Sequence, residues 1–173
     1  MNLNIYKLYS DAPNPKYGTA NAACFDIAAY IHYQSSIKTY TTNNEEMTML
    51  AAQDSENKPY IELPGNWRGL IPTGLVFDIP DNHCVKIYPR SGMSTKQGLN
   101  LINCVGIIDS DYVQQVFIPI YNNSQNRVRI YNGDRIAQAE MVRVEQVSIN
   151  FIDTRPSQKT DRTGGFGSTG VEI

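Results

Sequence analysis

Apolar and polar positions alternate over short stretches of this chain, and Gly or Pro punctuates them at close intervals. The runs in between are rich in β-branched and aromatic residues: 4–8, 25–31, 69–77, 85–88, 105–108, 116–121, 127–131 and 141–149. Arg127-Val128-Arg129-Ile130 alternates strictly, the pattern of a strand with one wet face. Asn132-Gly133 then supplies a tight turn, so residues 135–144 read as the returning strand of a hairpin. Helical spacing is almost absent. One short helix is expected over residues 91–97, with Ser91 as N-cap behind Pro89-Arg90 and Gly98 closing it. Many short strands joined by turns predict an all-β sandwich, barrel or jelly roll.

Two segments break the pattern. Residues 34–66 are polar, rich in Thr, Asn and Glu, and end in Leu63-Pro64-Gly65. They read as a surface excursion carrying a short helix or a hairpin near residues 45–52. Residues 153–170 are polar and Gly-rich with no apolar period, and alone they read as an unstructured terminus. At 173 residues and 41% hydrophobic, the chain can bury one core without disulfides or metals to staple it. The expected organisation is a β domain over residues 1–152 followed by an arm over residues 153–173.

Charge narrows the function classes. Fifteen basic residues oppose 17 acidic ones, a net charge of −2, so no global basic field exists to hold nucleic acid stably. Cys24, Cys84 and Cys104 are odd in number, lack C-x-x-C spacing and sit beside apolar residues, which predicts buried free thiols. His32 and His83 form no metal pattern. The first residues lack a basic region followed by an apolar run, and no stretch approaches a membrane span. A cytoplasmic (or host-cell interior) protein without a membrane partner is therefore expected.

Four blocks carry groups suited to chemistry. Pro89-Arg90-Ser91-Gly92 sets a cation, a hydroxyl and backbone N–H groups at a strand-to-helix turn, suited to an anion such as phosphate; taken alone, a capped helix with a surface Arg is the simpler explanation. Residues 103–112, NCVGIIDSDY, run an apolar strand into a turn bearing Asp109, Asp111 and Tyr112. A carboxylate held at a strand end can orient a water for attack, and burial there is expected to keep Asp109 rigid. Gly106 allows close approach to backbone that can read a flat base; a plain hairpin turn is the alternative. In residues 133–138 Asp134 and Arg135 are expected to pair, and Gln138 presents an amide. Residues 162–170, RTGGFGSTG, are a poor structural element but a good lid: Phe166 can stack on a ring while Arg162, Ser168 and Thr169 meet phosphate oxygens.

Each block is weak alone, but their order is specific. With ANAACFDIAA (20–29), they resemble the five ordered motifs of the trimeric dUTPases, the dUTP nucleotidohydrolases. The resemblance implies a jelly-roll-like (β-clip) subunit with one short helix, a homotrimer with interface active sites, and hydrolysis of dUTP to dUMP and pyrophosphate with Mg2+. It implies that Asp109 orients the attacking water, that Tyr112 packs on the deoxyribose and excludes a 2′-hydroxyl, and that Asn103 with the backbone of Val105, Gly106 and Ile108 reads uracil. Arg90, Ser91, Gly92 and Gln138 would hold phosphates. Arg162, Gly167 and Ser168 would add contacts from the arm, with Phe166 over the base. Asp26 matches the carboxylate of the first motif, structural rather than a direct metal ligand; Mg2+ would be held by substrate phosphates and water.

The chain also departs from the family pattern. Cys24 stands where Gly is usual, Val113-Gln114 replaces a polar-Gly pair, and the last motif is one residue shorter between its Arg and its Gly pair. Residues 34–66 exceed the usual loop. A dCTP deaminase shares much of the phosphate turn, but residues 116–120 carry no carboxylate to serve as its acid and base. A nucleotide-switched binding protein of the same fold is the non-catalytic alternative.

Overall fold

Period-two burial builds the strands of this computed structural model, which describes residues 2–161 and 164. The elements run β1 (Asn4–Lys7), β2 (Lys16–Tyr17), β3 (Phe25–Ala28), β4 (Ser36–Tyr40), β5 (Glu46–Leu50), β6 (Ala52–Gln53), β7 (Pro59–Leu63) and β8 (Arg68–Pro72). They continue with β9 (Leu75–Asp78), β10 (His83–Tyr88), α1 (Ser91–Gln97), β11 (Leu99–Leu101), β12 (Gly106–Asp109), β13 (Phe117–Asn122), β14 (Val128–Tyr131) and β15 (Arg135–Arg143). One five-stranded sheet has the order β12-β10-β15-β3-β2 and a second the order β11-β13-β8-β4-β5; β14-β7-β6 and β1-β9 complete the architecture. All pairings are antiparallel. Ile27, Ile71, Phe77, Val85, Ile118 and Ile130, from all four sheets, meet in one buried cluster. Each such side chain contributes about 1.5–3 kcal/mol of burial. The all-β, jelly-roll-like expectation with a single short helix holds.

Local expectations fare unevenly. Residues 69–77 form two strands, because Thr73-Gly74 makes a corner between sheets: Thr73 Oγ1 donates to the Val116 carbonyl at 2.7 Å, and Gly74 has φ +70°. Asn132-Gly133 does turn the chain, with Gly133 at φ +83°, but β14 pairs with β7 whereas β15 pairs with β10 and β3, so the expected hairpin does not form. The strand expected over residues 141–149 ends at Arg143. Residues 34–66 are only partly an excursion. The β4–β5 hairpin is there, but Ile37, Thr39, Ile61 and Leu63 from this segment lie in the buried interior. Of the cysteines expected to be buried, Cys84 is, Cys24 is half-buried and Cys104 is exposed. Among the described residues no helix is long and apolar enough to cross a membrane.

Candidate active site

β10 organises the site. On one side it pairs with β12, setting Cys84 opposite Asp109 and Ile87 opposite Gly106. On the other it pairs with β15, setting Tyr88 opposite Gln138. The strand then runs through Pro89 into α1, so one rigid element links the carboxylate block to the PRSG turn.

At the Cys84 end, Asp109 closes β12 and lies exposed in a cleft of 410 Å³ with Asp111, Asn82, His83 and Gln146. The expected burial of Asp109 is not found in the single chain. Its backbone is held by the strand pair and by a turn in which the Tyr112 N–H donates to the Asp109 carbonyl at 3.2 Å. The Tyr112 hydroxyl donates to the Gln115 carbonyl at 3.0 Å, which restrains the ring while leaving the residue 40% exposed.

β12 is an edge strand, with β10 on one side and no strand partner on the other among the described residues. Backbone donors and acceptors on that open edge can meet a planar base. Ile108 turns partly inward against the core, so its contribution there is main-chain. Asn103, Cys104 and Val105 form the exposed loop leading in. Its backbone is strained: Cys104 has φ +61°, and the Val105 N–H donates to the Asn103 carbonyl across it at 2.6 Å, a rare γ-turn. Gly106 sits in a tight place, since a Cβ there would lie 3.3 Å from Ile87 Cβ and 3.5 Å from the Asn103 amide nitrogen.

At the other end of β10 the N-cap of α1 is Arg90, without a side-chain capping bond, rather than the expected Ser91. Ser91 and Gly92 are the exposed first helical residues, and a Cβ added at Gly92 would meet nothing within 4 Å. That glycine is not demanded by packing within the chain. The predicted C-cap is present: Gly98 has φ +69° and donates to the Met93 carbonyl. Gln138 Nε2 donates to the Pro89 carbonyl at 2.9 Å, bracing the turn.

Asp26 is the hub here. Its Oδ1 lies 2.8 Å from Arg90 Nε and its Oδ2 lies 2.9 Å from Arg135 Nη1, with the carboxylate only 14% exposed. The expected Asp134–Arg135 pair is replaced by this one; Asp134 instead accepts from the Tyr131 N–H at 2.8 Å. Sequence reasoning misses this role of Arg135 because its partner lies 109 residues away, with no local signal joining them. On the same sheet, Tyr88 donates to Glu140 at 2.7 Å. That bond first, then burial, pushes the Tyr88 hydroxyl up to about 12. Burial, with Glu140 and Asp26 nearby, raises the Cys24 thiol above its ordinary range.

The two blocks lie at opposite ends of β10. From Cys84, opposite Asp109, to Arg90 the chain advances six residues, at most about 20 Å at about 3.3 Å per residue. Arg162, Phe166, Gly167 and Ser168 lie outside the described residues. Among the described residues no group of three or more His, Cys, Asp or Glu side chains converges as a metal cage.

Comparison with known proteins assigns this arrangement to a family. The dUTPase family model matches residues 57–170. The deoxyuridine 5'-triphosphate nucleotidohydrolase of Finegoldia magna is 36% identical over 93% of this chain and 94% of its own length. That of Helicobacter hepaticus is 33% identical over 99% of this chain and 90% of its own. Among solved structures, a mutant dUTPase of Staphylococcus bacteriophage 80alpha with dUpNHpp superposes at a TM-score of 0.72 and 20% identity, covering 98% of this chain and 99% of that one. A mutant dUTPase from phage phi11 of S. aureus, which coordinates a structural Mg(II) ion, covers 89% of this chain and 98% of its own at a TM-score of 0.65 and 19% identity. Motif order, sheet topology and full-length similarity therefore agree that this chain belongs to the dUTPase family.

Proposed function

We propose that the protein hydrolyses dUTP to dUMP and pyrophosphate in sites shared between subunits of a homotrimer. The single observation that carries this reading is Asp109, an exposed residue whose backbone is held at the end of an edge strand, in a turn closed by the Tyr112 N–H. Uracil lies along the open edge of β12, read by Asn103 and the backbone of Val105, Gly106 and Ile108. Tyr112 packs on the deoxyribose. Asp109 orients a water in line with the α-phosphorus; the water oxygen bonds to phosphorus as the bridging oxygen departs with pyrophosphate. Positioning and electrostatics suffice, so no covalent nucleophile is needed.

Phosphates are held by Arg90, Ser91, Gly92 and Gln138. Because these stand at the end of β10 away from Asp109, about 13 Å along the strand for Gln138 and up to about 20 Å for Arg90, they serve a neighbour's site. Exposed apolar side chains support assembly: Val105 and Ile107 on β12 and its approach, and Val147, Ile149 and Phe151 at 78%, 81% and 97% exposure. The arm over residues 153–173 closes the site, Phe166 covering the base and Arg162, Gly167 and Ser168 meeting phosphates; the family match extending to residue 170 supports this.

Mg2+ neutralises developing phosphate charge when bound. Both Asp26 oxygens already face guanidinium groups, so this donor set fits an ion carried by phosphate and water oxygens rather than by the protein.

Pyrophosphate release from dUTP, UTP, dCTP and dTTP, with and without Mg2+, tests the reading. Release from dUTP should dominate, and Asp109→Asn should bind dUTP while turning over about 10²–10⁴-fold more slowly. Ammonia release from dCTP, or an Asp109→Asn enzyme at the parent rate, contradicts it.

A further inference from the structure

A register break in β15 re-aims a cation beside the phosphate turn. From Ala139 back to Ala137, β15 pairs one-for-one with β3: Ala139 opposite Phe25, Gln138 opposite Asp26, Ala137 opposite Ile27. Strict alternation would then send Arg135 to the face opposite Gln138, towards the core. Instead the register shifts, Arg135 falls opposite Ala28, and Ile136 becomes the extra residue. The burial pattern records the break, since Ile136 and Ala137 are buried in succession at 1% and 0% exposure. A β-bulge re-aims the side chains that flank it. Here it moves Arg135 onto the face that carries Asp26 and Gln138.

The consequence is a pair of guanidinium groups on one carboxylate. Asp26 Oδ1 takes Arg90 Nε at 2.8 Å and Oδ2 takes Arg135 Nη1 at 2.9 Å, while Arg90 Nη1 donates to the Arg135 carbonyl at 3.1 Å. Two guanidinium groups thus stand side by side against Asp26, and the other carboxylate at this cleft, Asp134, is turned to the Tyr131 N–H. Arg135 stays 52% exposed, and both arginines line a 270 Å³ cleft with Gln97 and Asp134. Asp26 fixes each guanidinium by part of its donor set, leaving the remaining N–H groups for an oxyanion. Arginine donates through five N–H groups in a planar fork, which suits phosphate.

From this we infer that Arg135 is a second phosphate-binding cation, recruited by the bulge, and that Asp26 is the positioning residue holding Arg90 and Arg135 side by side as a reader of phosphate number. The inference rests on the dUTP reading above and deepens it. Arg135 contacts the phosphates beyond the α-phosphate, so it strengthens binding of a triphosphate and leaves a monophosphate nearly untouched.

Calorimetric titration with dUpNHpp and with dUMP in Mg2+ buffer separates these effects without any turnover. For Arg135→Ala, dUpNHpp binding should weaken about tenfold, the loss of a charge-assisted contact, while dUMP binding changes less than about twofold. Arg135→Lys should recover part of the loss, a point charge replacing a fork. Asp26→Asn should weaken dUpNHpp with the same selectivity and raise KM for dUTP more than it lowers kcat. An Arg135→Ala protein that binds dUpNHpp as tightly as the parent overturns the inference. Equal weakening of dUpNHpp and dUMP overturns it too, since that marks general disruption. If the parent itself binds neither nucleotide, the dUTP reading fails instead.

Discussion

A single side chain at the end of a strand acts only if its neighbours hold it still, and here those restraints are hydrogen bonds made by main-chain atoms. Asp109 is fixed through its backbone rather than by burial, and Tyr112 through both its N–H and its hydroxyl. Asp26 works differently, with both oxygens committed to arginines. Tyr88 gives the clearest pH signature. Its hydroxyl donates to Glu140, so the folded state keeps that proton past the ordinary value of 10.0, up to about 12. A value raised on folding means the stabilisation is whole below pH 10.0 and drains away as pH climbs towards about 12. Urea midpoints measured across that interval should fall more steeply for the parent than for Tyr88→Phe. Parallel curves would show that the bond contributes nothing.

Among the elements, β4 and the corner at Thr73-Gly74 define what the chain can lose. The β4–β5 hairpin lies in the segment that departs most from the family pattern, yet Ile37 on β4 is 1% exposed and Thr39 Oγ1 donates to the Met47 carbonyl at 3.2 Å. Replacing Ile37 by Ala should cost about 3 kcal/mol, the range for a buried aliphatic truncation, whereas Met47→Ala, at 46% exposure, should stay within about 0.5 kcal/mol. Denaturant unfolding of the two variants measures the difference, and equal values would mark the hairpin as an appendage.

Strand β4 also explains why sequence reading stops short. Ser36-Ile37-Lys38-Thr39 has one strongly apolar residue in four, and the other inward position is a threonine satisfied by a bond that forms only in the fold. Asn132-Gly133 misleads for a related reason: turn chemistry dictates a positive φ, but the partner strand depends on residues far away. The PRSG turn, the Gly98 cap and the Asp109 strand end are legible because local chemistry determines them. The Asp26–Arg135 contact is not, since it needs both a distant strand and a bulge.

At the scale of the whole molecule, the geometry of β10 is decisive. One strand carries the Asp109 block at one end and the PRSG turn at the other, which on the proposed reading are two half-sites that neighbouring chains complete. Closed cyclic symmetry completes such a pair by bringing one copy's carboxylate to another's arginine. Two inactive variants therefore give the most direct test: Asp109→Asn, which lacks the carboxylate, and Arg90→Ala, which lacks the phosphate cation. Each alone should release almost no pyrophosphate from dUTP. Unfolded together in equal amounts and refolded as mixed trimers, they should recover about a quarter of the parent activity, because one in four random pairings joins an intact Asp109 to an intact Arg90 on the neighbouring chain. A mixture as inactive as its components would mean that both groups serve the same chain's site, and the shared-site account would be wrong.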